Sequence, residues 1–520
     1  MSNELLNLQS QTQKVRGPTF SVLTTVYEKT NVEFFRRTAR SVLSQHYPNF
    51  EWVILAHGPI SSALDTALHE LSIADARVRV LRDAVNYGPL GGMSRCLGVS
   101  VGYYIVPTDA DDLLTEDALA VFASAVTTYD EPAMLYSDED ILVGNDCRDP
   151  YRRPDWDEVL NLATSYIWHL CAIRRDIAVQ VGLYSHDDAR WCHDWDTAMR
   201  IAAAGHIPVH IPKVLYHWRH HPSSSTNRPD PESGSRHSTK ELLTKIISKQ
   251  KHPDQFEVGE FPIFRGAAEW SVRRRKTNPP CVAGLSLSGK QVEWSAPLSK
   301  RISVSRETRV SWARRLLSRH IVSPREGHSV ADLRQSVLSV SEPYVAVSAA
   351  ALPIDDEWFY EAIGLFELHP SVLAVQGPIV DLKDRVVRGG EIFLDDGSLR
   401  CPQAQKAYSD AGPFALMHKP HSVAVVPTEF FVCRTGPLAR LLTNLDPTVE
   451  LAGLGIRLGL DVYRSGGVIA YSPLVKSRMF ATMIDGHSDE LTRLAESVIG
   501  VDSCLELGQR TQGAAGFLKG

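Results

Sequence analysis

No two cysteines in this chain form a CxxC pair. The eight stand alone at positions 96, 147, 171, 192, 281, 401, 433 and 504. That scatter excludes a cysteine zinc cage and a disulfide framework, and it fits a reducing compartment. No apolar run approaches the roughly 20 residues that a membrane span needs. The opening stretch, "MSNELLNLQSQTQKVRG", has no apolar signal-peptide core. The expectation is a soluble, cytoplasmic protein without a transmembrane segment, with peripheral contact at the inner face of the cell membrane left open. Basic charge is not in excess either, since 55 Lys and Arg stand against 61 Asp and Glu for a net −6. Nothing marks a nucleic-acid partner, and "RRRK" at 273–276 reads as a solvated linker. GxGxxG and GK[ST] spacings are missing too. "NYGPLGG" (86–92), which begins at Asn86, is only a weak candidate for a phosphate loop.

What is present is a globular composition, 43% hydrophobic and 22% charged over 520 residues, enough for two or three domains. Strand and helix patterns alternate in the first half. "FSVLTTVY" (20–27), "FEWVILAHG" (50–58), "VRVL" (78–81) and "YYIVP" (103–107) read as strands. Between them lie helical stretches with Asn31 as a cap and Pro48 as a stop, and a small-residue helix over 91–101. This order predicts an α/β fold with a mostly parallel, doubly wound sheet, whose ligands sit beyond the carboxyl ends of the strands. Residues 1–17 form a polar tail, 18–226 the first domain, and 227–280 a connecting segment. A second domain covers 281–480 and a helical tail 481–520. The second domain partly repeats the first: "YVAVSAAALPIDDEW" has the outline of "YYIVPTDADDLLTED" with the leading acids missing.

Asp109 and Asp111 end a strand one residue apart. Carboxylates so placed can hold a hard divalent cation, Mg²⁺ or Mn²⁺, that keeps positions for phosphate oxygens. Helix capping is the bland alternative, but Thr115, Glu116 and Asp117 already suffice to start a helix over 116–128. Asp194 in "HDWDTAMR" sits at the mouth of another helix, either as a general base or as an N-cap, and Asp196 reads as an exposed first-turn acid. His217 in "YHWRHHPSSST" can complete a metal site or serve as a structural histidine. Arg219 beside it is a diphosphate clamp candidate, and His220 and His221 read as loop residues. Thr25, Tyr27 and Glu28, at the end of the first strand, can meet a nucleotide base and ribose, with packing the alternative for Tyr27.

Together these stretches resemble the family 2 glycosyltransferases of GT-A fold, over about residues 18–226. The resemblance rests on "FSVLTTVYEKT", "SVLSQHYPNFEWVI", "NYG", "YYIVPTDADDLL", "YSDEDI", "RRPDWDEVLNLATSYIWHL", "HDWDTAMR" and "IPKVLYHWRHHPSSST". It implies an inverting, metal-dependent transfer from a nucleotide-sugar donor to a glycan or lipid-linked glycan acceptor, as in bacterial surface polysaccharide synthesis. Asp109 and Asp111 would be the DxD pair, His217 a third metal ligand and Asp194 the catalytic base. Thr25, Tyr27, Glu28, His57, Asn86, Asp109 and Arg219 would face the donor, with Asp138 and Trp195 on the acceptor side. Two positions depart from the family pattern. His57 stands where an Asp usually reads uracil, which opens thymidine and guanosine donors. Met93 and Ser94 replace an Arg-Asn pair. The second half resembles a degenerate module of the same family, with Ser348, Ala349 and Ala350 at the DxD position and Leu451, Ala452 and Gly453 at that of the base. Two other readings remain: a non-catalytic assembly factor that binds glycan or nucleotide, and a sugar nucleotidyltransferase.

Overall fold

The computed structural model describes residues 19–220, 234–261, 263, 270–287, 298, 300–303, 330–445, 451–480 and 488–510. The expected N-terminal tail and His221–Thr226 lie outside them. Nine strands make the first sheet: β1 (Phe20–Val26), β2 (Phe50–His57), β3 (Val78–Asp83), β4 (Tyr104–Pro107), β5 (Leu113–Leu114), β6 (Met134–Val143), β7 (Asp146–Tyr151), β8 (Cys171–Arg174) and β9 (Val209–Arg219). Their order is β3-β2-β1-β4-β8-β6-β9-β5, with β7 paired to β6. β3, β2, β1 and β4 run parallel, β8 runs antiparallel to both neighbours, and β6 and β9 are parallel again.

The inner strands read as near-continuous apolar runs because helices cover both faces. Alternate residues of β1 enter opposite cores. Val22 belongs to the cluster that holds Phe35, Trp52 and Phe122, while Leu23 belongs to the one that holds Val53, Ile105 and Tyr136. Trp52 and Phe35 are wholly buried, and each contributes about 1.5–3 kcal/mol of burial energy. The polar atoms in this layer are paired. The Trp52 Nε1–H donates to Thr24 Oγ1, and Thr24 Oγ1–H donates to the Thr108 carbonyl, both at 3.0 Å. That chain fixes the end of β4, where the acidic turn begins.

Helix Val32–Leu43 starts as expected: Asn31 Oδ1 accepts from the N–H groups of Glu33 and Phe34 at 3.0 Å. Two other expectations shift. The small-residue helix spans Gly88–Val99. The helix after the acids spans Ala118–Thr128, and no side chain caps it. Thr115 Oγ1–H donates instead to Asp117 Oδ1 at 2.8 Å, and Asp117 also pairs with Lys213.

The described residues of the expected connection form a helix and a hairpin. Helix Gly234–Ser248 packs Leu242 and Leu243 against Trp195, and strands Phe256–Glu260 and Trp270–Arg274 form a hairpin. "RRRK" therefore does not dangle in solvent. Arg273 pairs with Glu357, buried Arg274 with Glu367 at 2.9 Å, Arg275 with Glu257 at 3.1 Å and Lys276 with Asp356 at 2.9 Å. A second bridge is Asp157. It caps helix Glu158–Ala163 and accepts from the Ser422 N–H and hydroxyl at 2.7 and 2.9 Å.

The second large sheet repeats the strand order of the first. Val282–Ser286, Lys300–Ser303, Tyr344–Ser348, Phe430–Arg434, Val372–Gln376 and Val468–Tyr471 take the places of β1, β2, β4, β8, β6 and β9. Every parallel or antiparallel relation among these six is kept.

Candidate active site

The turn after β4 is held from behind, and Asp112 is its anchor. Asp112 is buried, and its two carboxylate oxygens accept from Tyr216 Oη–H and the Arg219 N–H, each at 2.7 Å. Thr38, one helical face away, donates to the Asp112 carbonyl at 2.7 Å. Burial first, then the charges of Asp109 and Asp111, push the Asp112 carboxyl well above its ordinary range. Asp109 points the other way, its side chain 56% exposed. Desolvation by the cleft walls raises its pKa, His169 opposes the rise, and Asp111 and Asp194 add to it. Asp111 lies near enough to Tyr27 that its charge joins burial in raising the phenol.

A histidine outside the expected set faces these acids. His169 Nε2 lies 3.7 Å from Asp109 Oδ2, and its Nδ1 lies 3.1 Å from Glu139 Oε2. Its ring stacks on Tyr216 with centroids 4.7 Å apart. Desolvation would lower the His169 pKa, but the hydrogen bond and charge of Glu139, with Asp109 and Asp112, carry it up to about 10. Glu139 is itself held by wholly buried Arg153, whose Nη2 lies 3.0 Å away.

His217 is not in this cluster. Neighbouring residues of a strand face opposite sides, and β9 turns Tyr216 to the acids and His217 away from them. His217 Nδ1 instead meets Asp140 Oδ1 at 2.6 Å. Arg219 does not stand free as a diphosphate clamp. It is buried, its Nε–H donates to the Asp111 carbonyl, and its guanidinium lies 4.5 Å from the Phe34 ring centroid. The two acceptor-side candidates are also interior. Asp138 accepts from the Arg153 N–H and from His210 Nε2, both at 2.8 Å. Trp195 donates its indole N–H to the Asn161 carbonyl at 2.6 Å. Asp196, expected at the surface, is buried and pairs with Arg200 at 2.6 Å.

Asp194 stays at the cleft. It occupies the second position of helix His193–Ala203 with its side chain 39% exposed. Desolvation raises its carboxyl, but His193, at 2.9 Å, and His169 outweigh that and hold it below the usual carboxylate value. It is therefore ionised at neutral pH.

The donor-side candidates converge only in part. A Cβ on Gly92 would lie 2.9 Å from Thr25 Cγ2 and 3.1 Å from His57 Cε1, so a glycine is required where these two side chains meet. His57 Nδ1 accepts from the Tyr87 N–H at 3.2 Å, and burial lowers its pKa, so the neutral ring carries its proton on Nε2. It offers a donor there. Asn86 is exposed and accepts from the Gly88 N–H at 2.8 Å, shaping the start of helix Gly88–Val99. Glu28 is exposed beyond Tyr27.

Buried neutral His57 has a consequence for stability. The unfolded chain takes up a proton at this residue near pH 6.5, before the folded protein does. Stability is thus fully present above that pH and lost as pH falls. His57→Gln is expected to lose less denaturant resistance than wild type between pH 7 and pH 5, as measured by urea midpoints at both.

Oxygen donors at Asp109 and Asp111, with His169 Nε2 beside Asp109, suit a hard divalent cation. Asp109, Asp112 and His169 bring ligand atoms within 4.8 Å of one another. Asp112 fits less well, since both its oxygens already accept from Tyr216 and Arg219.

In the second sheet the same place is closed. Tyr344 pairs with Arg434 as Tyr104 pairs with Arg174. Counting forward from Tyr344 places Ala349 and Ala351 at the positions of Asp109 and Asp111, one residue on from the expected register. The N–H groups of Ala349, Ala350 and Ala351 all donate to the Glu429 carbonyl at 3.0–3.2 Å, and Glu429 stands at the position of His169. The counterpart of Asp194 is Gly455, second in helix Leu454–Arg464. A Cβ there would lie 1.8 Å from the Val426 carbonyl oxygen, so no side chain fits.

Residues 21–178 match the model of glycosyl transferase family 2. The chain is 32% identical over 220 residues to the O-antigen biosynthesis protein RfbC of Myxococcus xanthus, covering 41% of this chain and 17% of that protein. It is 28% identical over 264 residues to the uncharacterized protein y4gI of Sinorhizobium fredii, covering 49% and 28%. The chain thus spans less than a third of either relative. Among solved structures, S. aureus TarS 1–349 in complex with UDP-GlcNAc is 15% identical at a TM-score of 0.38, covering 46% of this chain and 70% of that one. No described helix is long and apolar enough to cross a membrane. On the match across residues 21–178, this chain carries a glycosyl transferase family 2 domain.

Proposed function

We propose that the first sheet carries one active site that transfers a sugar, with inversion, from a nucleotide-sugar donor to a hydroxyl of a glycan or lipid-linked glycan. The observation that carries this reading is the cleft itself: Asp194 is ionised and accessible at a helix mouth, and its charge is felt at Asp109. The acceptor hydroxyl gives its proton to the Asp194 carboxylate as its oxygen bonds to the anomeric carbon. The bond from that carbon to the diphosphate oxygen breaks, and the electron pair leaves with the diphosphate. Asp109, Asp111 and, once its Nε2 proton is displaced to solvent, His169 would hold Mg²⁺ or Mn²⁺. Such an ion, when bound, neutralises charge on the departing diphosphate. Thr25, Tyr27 and His57 line the donor pocket, where the His57 Nε2–H suits an acceptor atom on the base.

The relative named for O-antigen biosynthesis supports a polysaccharide acceptor. The second sheet is read as a pseudo-transferase unit, because its turn is closed on Glu429 and its helix begins against Val426. Thermal stabilisation by UDP, dTDP, GDP and CDP, each with and without Mn²⁺, tests the donor site. One nucleotide is expected to stabilise more with the ion present, and Asp109→Ala is expected to remove the ion-dependent part. If no nucleotide gives a metal-dependent shift, the binding-only reading replaces this one.

A further inference from the structure

Asp140, Cys147 and His217 form a second cluster of metal-ligating side chains, on the side of β9 that faces away from the acidic turn. β6 and β9 place Asp140 opposite His217, and the β6–β7 hairpin brings Cys147 opposite Leu142. His217 Nδ1 lies 2.6 Å from Asp140 Oδ1 and 3.4 Å from Cys147 Sγ. One ring nitrogen therefore meets two partners, and a single N–H satisfies only one of them well. All three ligand atoms lie within 4.8 Å of one another. An open groove lined by Arg37, Arg40, Asn145, Cys147 and His217 gives access to them.

We propose that this cluster binds zinc or a similar borderline-soft divalent cation. Cys147 thiolate, His217 Nδ1 and Asp140 carboxylate are its three protein ligands, and water takes the fourth position. Bond lengths of about 2.0–2.3 Å in a tetrahedron set ligand separations near 3.4–3.6 Å. The Cys147–His217 separation already matches, and Asp140 need only withdraw by about 1 Å to match as well. Thiolate and imidazole favour zinc over the hard cations that suit an all-oxygen site. On binding, the thiol proton goes to solvent, and the imidazole proton that Nδ1 shares with Asp140 moves through solvent to Nε2, which frees Nδ1 to ligate. Two anionic ligands then balance the double charge of the ion, and no other reactant is needed. The ion ties the hairpin to β9, the strand from which Tyr216 and Arg219 hold Asp112.

Cobalt makes the site visible, because only a thiolate ligand gives a sulfur-to-metal charge-transfer band. Co²⁺ held at Asp109 and Asp111 would give none. Titration of the full chain is expected to develop this band with one equivalent of Co²⁺ and to lose it on addition of Zn²⁺. Cys147→Ser and Cys147→Ala should both abolish the band, and Cys281→Ser should leave it. Asp140→Asn, which keeps the thiol, should weaken Co²⁺ binding by at least about tenfold. Using two variants that lack only the Cys147 thiol, each checked by circular dichroism, separates loss of the ligand from misfolding. No band in wild type, or a band that survives in either Cys147 variant, overturns the proposal.

Discussion

Asp194→Asn is expected to lower glycosyl transfer by about 10²–10⁴-fold while leaving the nucleotide-induced thermal shift intact. The amide keeps the shape of the carboxylate and still meets His193, but it cannot take a proton. The two readouts separate the role of base from that of helix support. Asp194 meets His193, the first residue of its helix, at 2.9 Å, and the residue before that helix, Cys192, makes no side-chain cap bond. A merely structural acid would lower stability and binding together with rate. Near wild-type transfer by Asp194→Asn removes it as the base and leaves the cleft without an assigned proton acceptor. Initial rates with a responsive donor and a glycan acceptor, beside the thermal shift of the same preparation, decide the point.

Arg153→Met is expected to destabilise the first unit by about 3–5 kcal/mol, read from the denaturant midpoint. Arg153 is wholly buried, and three neighbours depend on it. Its Nε–H donates to the Tyr166 carbonyl at 2.8 Å, its Nη1–H donates to the Ser137 carbonyl at 2.7 Å, and its Nη2 lies 3.0 Å from Glu139. The last contact is close but not aligned as a hydrogen bond. Methionine fills the space and leaves Glu139 as a buried carboxylate with His169 as its remaining partner. Burial alone would raise the Glu139 pKa, and Arg153 with His169 keeps it below the ordinary value. Removing half of that support leaves an uncompensated charge, which accounts for the size of the loss. Glu139→Gln added to Arg153→Met should recover part of it. If the double variant is no more stable than the single, the loss comes from the two orphaned carbonyls instead.

The sequence alone was enough for the alternation of strands and helices, the cap at Asn31, and the place of Asp109 and Asp111 at the end of β4. These features are local. Apolar runs, a cap residue and a strand terminus are each encoded within a dozen residues. The absence of the acidic pair in the second copy was legible for the same reason.

Which side chains face the cleft was decided only by the tertiary structure. A strand alternates its faces every residue, and β6 and β9 pair with register shifts around Asp138 that no local pattern announces. Tyr216 thereby takes the inward place expected of His217. His169 enters from the start of β8, which crosses between β4 and β6 in the sheet order and is far from both in sequence. Asp112 separates from its two neighbours for a similar reason: its partners, Thr38, Tyr216 and Arg219, come from a helix and a strand distant along the chain. In the second copy, what fills the vacated turn is the Glu429 carbonyl, and that closure depends on a backbone contact between segments some 80 residues apart. Composition can remove the acids from such a turn; only packing decides whether the space is left open.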